Sequence, residues 1–190
     1  SAAGAAVHRY GERRLRAKGA VQREGQVIFS GQGFSHKGEK GRFVLPPAFR
    51  KAVAESSAGK VLCLAKHERW TCLTGFGLSR KAELETQIER EEERALRLGR
   101  AFDPDLRRLQ LFGFAEIPFD ASGRFVMPDH LAGLGRLTGG VYFHGAGSFF
   151  TLWNPEELYR MGEGWEGAQA ACRALAGAPP DKDRPGGEPA

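Results

Sequence analysis

The heptapeptide Lys40-Gly41-Arg42-Phe43-Val44-Leu45-Pro46 returns 82 residues later as Ser122-Gly123-Arg124-Phe125-Val126-Met127-Pro128. Five of the seven positions are identical, and Leu45 against Met127 exchanges one apolar side chain for another. An internal repeat constrains a fold more than a lone motif does, because each copy must form the same local unit. The match extends further. Pro47-Ala48-Phe49-Arg50-Lys51-Ala52-Val53 reads as a short helix, with Asp129-His130-Leu131-Ala132-Gly133-Leu134 as its counterpart. The apolar runs Val61-Leu62-Cys63-Leu64 and Val141-Tyr142-Phe143 follow. Trp70-Thr71-Cys72-Leu73-Thr74 then answers to Phe149-Phe150-Thr151-Leu152-Trp153. Strand, turn, short helix, strand, strand thus occurs twice, with small differences in loop length.

A unit of about 45 residues buries too little surface to be stable alone, so the two copies should share one core. Between them, Ser79 to Leu98 reads as a helix with Ser79 as N-cap and Gly99 as stop. Asp103-Pro104 opens a second helix through Phe112, completing a helical hairpin. Asn154-Pro155-Glu156-Glu157 opens another helix, with Glu157 placed for a capping box. Val27-Ile28-Phe29 begins the folded part as a strand, which Gly31 and Gly33 should break or bulge. The organisation expected is therefore an extension over 1–27, repeat one over 28–78, a helical hairpin over 79–112, repeat two over 113–160, and a C-terminal helix and tail over 161–190. The extension is rich in Ala, Gly, Arg and Glu, and both it and the Pro/Gly-rich end read as disordered.

Charge is uneven along the chain. The net charge of +5 combines +4 in residues 1–28, +4 in 32–60, +1 in 61–78, balance in 79–108 and −4 in 109–190. Positive charge thus belongs to the N-terminal extension and repeat one, where nucleic-acid phosphates would be met. No apolar run approaches membrane-span length and no signal-peptide core stands out, so no membrane is expected. Cys63, Cys72 and Cys172 lack C-x-x-C spacing and read as reduced thiols in a cytoplasmic protein.

Enzyme signatures are missing from the sequence. His8, His36, His67, His130 and His144 have no metal-ligand spacing. The run His144-Gly145-Ala146-Gly147-Ser148 lacks a nucleophile elbow. Gly31-Gln32-Gly33 lacks the third glycine of a dinucleotide loop. Neither catalytic residue, metal, cofactor nor small-molecule substrate is expected.

From Phe29 to Tyr159 the residues resemble the MraZ family of bacterial transcriptional regulators, built from two AbrB-like swapped-hairpin units. Phe29-Ser30-Gly31 matches the family's Phe-x-Gly opening. Arg42 follows Gly31 at the family's spacing of eleven residues. Lys40-Gly41-Arg42 matches the end of its Asp-x-Lys-Gly-Arg turn, and Asp120-Ala121-Ser122-Gly123-Arg124 fits Asp-x-x-Gly-Arg in repeat two. Phe150-Thr151-Leu152-Trp153 looks like the family's last strand. One position departs: Gly38 stands where the family has the turn aspartate of repeat one, which should leave that turn looser.

The resemblance implies an α+β, β-rich fold in which the two repeats form one shared barrel with the helical hairpin between them. It also implies sequence-specific binding of double-stranded DNA at the control region of division and cell-wall genes. The chain would act there, on the nucleoid, as a ring-like homo-oligomer on tandem short repeats. The competing reading is an AbrB-like protein–protein module of the antitoxin type, kept open by the net charge of only +1 over residues 29–190. An exposed apolar patch would favour it.

Within this frame the candidate DNA contacts are Arg42, Lys40, Lys37 and Arg124. A Gly-Arg pair makes a tight turn followed by a planar donor that fits phosphate or a guanine edge. The bland alternative is an arginine paired with a nearby acid. It weighs more on Arg124, which has Asp120 beside it in the acidic half. Lys51 adds phosphate attraction at most, and Arg50 reads as structural. Trp70, Trp153, Phe49, Phe125, Phe143 and Phe150 read as core rather than base-stacking groups.

Overall fold

The computed structural model describes residues 26–177. The readings made on residues 1–25 and 178–190 lie outside the described residues.

Each repeat forms two strands, a helix and two more strands. Repeat one gives β1 (Gln32–His36), β2 (Arg42–Val44), α1 (Pro47–Ser57), β3 (Val61–Lys66) and β4 (Leu73–Phe76). Repeat two gives β5 (Ala115–Pro118), β6 (Arg124–Val126), α4 (Asp129–Gly135), β7 (Gly140–Gly145) and β8 (Phe150–Trp153). Between them lie α2 (Lys81–Arg97) and α3 (Pro104–Phe112). Two helices, α5 (Pro155–Tyr159) and α6 (Glu166–Ala176), follow. Single 3-10 turns occupy Glu39–Gly41 and Leu78–Arg80.

The repeats interleave. One antiparallel sheet has the order β1-β7-β8-β4-β3-β5, and β2 pairs with β6 in a separate ribbon. Only β3–β4 and β7–β8 pair within a repeat; β1–β7, β4–β8, β3–β5 and β2–β6 pair across repeats. Neither copy can complete its sheet without the other. The core is shared in the same way: Phe43, Phe49, Leu62 and Leu64 of one copy pack with Phe125, Phe143, Phe150 and Leu152 of the other. Truncating one such phenylalanine to alanine costs about 3–5 kcal/mol.

The expected barrel does not close. β1 and β5 are the two edges of the sheet, and the ribbon lies beside both without continuing either ladder. The reason is local. Strands of three residues offer few backbone donors, and Val44 N–H donates to the Ser35 side chain at 2.8 Å rather than to a backbone carbonyl of β1.

Four smaller expectations also change. Val27-Ile28-Phe29 forms no strand, Phe29 making only an isolated bridge to Gly147. Ser79 does not cap α2; it lies in the preceding 3-10 turn, and its hydroxyl bonds that of Ser56 at 2.6 Å. Gly31, at φ +83°, does break the chain, but Gly33 lies inside β1. It is glycine there because a Cβ would come within 2.4 Å of the Pro46 ring. Asn154 caps α5 by accepting from Glu156 N–H, yet Glu157 does not complete a capping box. Its carboxylate instead pairs with Arg136, at 3.1 Å, and with Arg160. Behind β1 and β7, α6 closes a second apolar cluster of Cys72, Tyr142, Trp153, Leu158 and Cys172, edged by Trp70 and Trp165. Burial pushes the thiols of Cys63 and Cys72 up to about 12, and all three cysteines are free.

The helical hairpin is held mainly by polar contacts. Only Leu84 and Ile88 of α2 are buried. The Asp103 side chain caps α3 by accepting from Asp105 and Leu106 N–H. Arg107 donates to Glu91 at 2.6 Å and also pairs with Glu68. That contact with Glu91, more than any other, holds the Glu91 carboxyl below its usual range.

Candidate nucleic-acid interface

The two Gly-Arg turns meet on one ribbon. β2 and β6 run antiparallel with Arg42 opposite Val126, Phe43 opposite Phe125 and Val44 opposite Arg124. Alternation along each strand buries the phenylalanine and turns the flanking residues outward. Phe43 and Phe125 anchor the ribbon, their ring centroids 6.2 Å apart. Arg42 and Arg124 therefore share the outer face as diagonal neighbours, which sheet geometry puts about 7–8 Å apart at Cα. Two motifs 82 residues apart in sequence become one cationic patch.

The ribbon is fastened at each end by a glycine carbonyl. Leu45 N–H donates to Gly123 at 2.8 Å, and Met127 N–H donates to Gly41 at 3.5 Å. Both glycines have left-handed backbone, at φ +69° for Gly41 and +84° for Gly123, which side chains rarely accept. Around Gly41 there is open space, whereas a Cβ on Gly123 would lie 3.0 Å from both Arg50 Cδ and the Leu45 carbonyl. Arg50 thus lies over the second turn from α1. Ala132 occupies its equivalent place in α4, so the first turn has no such cover.

The arginines differ in their partners. Arg124 pairs with Asp120 at 3.7 Å, both about half exposed. Asp120 also accepts from the backbone N–H of Ser122 and of Arg124, each at 2.9 Å. Its carboxyl is held below the usual range, chiefly by the Arg124 N–H, then by that of Ser122 and by the guanidiniums of Arg124 and Arg42. Among the described residues, no salt bridge involves Arg42, Lys40 or Lys37. All three are exposed, with Glu39 the one acid in the turn between them.

The chain matches curated proteins that carry the name transcriptional regulator MraZ. It is 30% identical over 131 residues to that of Parvibaculum lavamentivorans, covering 67% of this chain and 76% of the relative. It is 31% identical over 125 residues to that of Rhodospirillum rubrum, covering 63% and 74%. For Caulobacter vibrioides the figures are 32% over 117 residues, covering 62% and 70%. The chain belongs to the MraZ family. No family model matches it.

The departure from the MraZ pattern at Gly38 has a structural consequence. Both turns close with the same backbone bond, Gly38 N–H to Arg42 carbonyl at 2.8 Å and Asp120 N–H to Arg124 carbonyl at 3.0 Å. Only the second gains side-chain acceptors, from Asp120. The first instead holds Lys40 at φ +56° next to Gly41, so a residue with a side chain stands where glycine would be relaxed.

Elsewhere the aromatic residues read as core are buried, apart from half-buried Trp70, which packs edge-on against Trp165. His144 bonds the Tyr142 hydroxyl at 2.9 Å, and burial lowers its pKa. Among the described residues no group of His, Cys, Asp and Glu is arranged for a metal. No described helix is long and apolar enough to cross a membrane. A groove of about 380 Å³ beside α2 is lined by Arg80 and Arg90 but also by Glu83 and Glu91. Sequence reasoning missed Arg80, whose guanidinium lies between the Phe76 and Phe149 rings and donates to Ser148. Its only sequence signal was a basic residue at a helix start. Val44 and Val126, exposed beside the arginines, were also missed, although simple alternation along Arg-Phe-Val marks them.

Proposed function

We propose that the chain is a sequence-specific DNA-binding transcriptional regulator, with the outer face of the β2–β6 ribbon as its DNA contact. One observation carries this reading. Arg42 and Lys40 are exposed and free of salt bridges at a turn whose backbone holds Lys40 in the left-handed region. A strained exposed residue points to a function that retains it. The free fork of Arg42 suits a phosphate or the O6/N7 edge of guanine. Arg124 joins it on the same face, and Lys37 lies where β1 ends.

We assign the target to tandem short repeats upstream of division and cell-wall genes, bound by a ring-like homo-oligomer built from the two AbrB-like units. A single ribbon presents a small contact, and several linked subunits raise the effective concentration of each next ribbon. Exposed Leu106 and Leu109 on α3, with Phe112 nearby, offer the apolar surface that subunit contact needs. That same surface is what a protein–protein module would use, so the cationic ribbon is the feature that favours DNA.

Mobility shifts on the division promoter across a salt series test the reading. Log affinity should fall linearly with log salt, with a slope of about −0.9 per neutralised phosphate. Salt-independent binding, or equal affinity for scrambled duplex, would count against it.

A further inference from the structure

Two of the four side chains on the ribbon's outer face are apolar. Val44 is 42% exposed and Val126 53%. With Arg42 opposite Val126 and Val44 opposite Arg124, the arginines occupy one diagonal of the face and the valines the other. A β-branched residue favours strand whichever way it faces, and a single exposed valine is ordinary. These two are the exposed large apolar side chains of the described strands, and each stands directly across from a guanidinium.

The major groove of DNA admits a two-stranded ribbon and displays two kinds of feature. Guanine offers the O6/N7 acceptors that an arginine fork meets. Thymine offers a C5-methyl group that only apolar atoms can meet favourably. We propose that Val44 and Val126 pack on thymine methyl groups beside the positions met by Arg42 and Arg124, so that the valines help set sequence specificity. This rests on the DNA reading above. The spacing is compatible: two residues along a strand span about 6.8 Å, or about two base-pair steps of 3.4 Å. A contacted thymine should therefore fall within about two steps of an arginine contact. Because the strands are antiparallel and the diagonals related by the repeat, one thymine is expected toward each end of the contacted segment.

The test uses the full chain and a duplex recovered by wild-type selection from a randomised pool. That duplex is synthesised in its thymine form and with deoxyuridine at every thymine, which removes the methyl groups and nothing else. Wild type should bind the deoxyuridine form about fourfold more weakly per contacted methyl. The double variant Val44→Ser/Val126→Ser should bind both forms equally, with the wild-type salt slope. Equal binding of the two forms by wild type would overturn the inference while leaving the DNA reading intact. A variant that still discriminates between them would also overturn it. Recovery of no specific duplex would remove the DNA reading and this inference with it. The wild-type arm needs no substitution, so the result does not depend on how the variant folds.

Discussion

The two Gly-Arg turns share their sequence and their closing backbone bond, yet one is braced and the other bare. In the second turn Asp120 accepts two backbone N–H groups and pairs with Arg124, Arg50 lies over Gly123, and the Leu45 clamp measures 2.8 Å. In the first, Gly38 supplies no side chain, nothing covers Gly41, and the Met127 clamp is 3.5 Å long. The contrast separates two jobs that a duplicated motif starts out sharing. The braced turn fastens the ribbon to the body, and the bare one leaves its arginine and lysines unengaged. Repeat identity therefore explains the architecture, while departures from identity underlie the proposed DNA contact.

The contrast is most sharply tested by adding one methyl group to each glycine. Gly123→Ala should cost about 3 kcal/mol, combining left-handed strain with crowding against the fixed Leu45 carbonyl. Gly41→Ala should cost about 1 kcal/mol, from strain alone. Denaturant unfolding measures both, and equal losses would show that the two turns are braced alike. A milder change supplies what the first turn lacks. The built Cβ at Gly38 meets only the Arg42 carbonyl at an ordinary 3.5 Å, so Gly38→Asp fits. It should slow amide exchange at Lys40 and Arg42 and, by pairing with Arg42, weaken DNA binding roughly fivefold. Unchanged exchange would mean that the aspartate is not what braces the second turn.

The smallest effect concerns acid. The folded pKa of Asp120 lies below its unfolded value of about 3.9. Its contribution is complete above the unfolded value and is lost as pH falls through the lower folded value. Amide signals of Ser122 and Arg124 should move in that acidic window and not near neutrality, and those of Lys40 and Arg42 should show no matching aspartate transition. Movement of the Ser122 and Arg124 signals centred well above pH 4 would contradict the bracing role of the carboxylate.

Much of this was legible in the residues because helices and strands announce themselves locally. The helix read over Ser79 to Leu98 is α2 with a 3-10 turn before it, and Asp103-Pro104 caps α3 as its chemistry dictates. Long-range pairing was not legible. Sequence spacing placed Arg42 beside Lys40, but nothing in it set Arg42 diagonal to Arg124, because register depends on which strands meet. Gly33 read as a break because its reason for being glycine, the Pro46 ring, lies in another strand–helix junction. The closed barrel was implied by the resemblance alone, and a side-chain bond such as Val44 to Ser35 cannot be anticipated from strand pattern. The second core escaped notice because it joins the C-terminal segment, through Cys172 and the bordering Trp165, to Trp153 of the sheet.

The inequality of the two arginines is tested most directly by comparing Arg42→Ala and Arg124→Ala on one promoter duplex at one salt concentration, with size exclusion confirming that both keep the wild-type assembly. Arg42→Ala should abolish specific binding, a loss on the order of a hundredfold or more. Arg124→Ala should lose roughly tenfold or less, since its guanidinium is already shared with Asp120. Equal losses, or a greater loss at Arg124, would contradict the account.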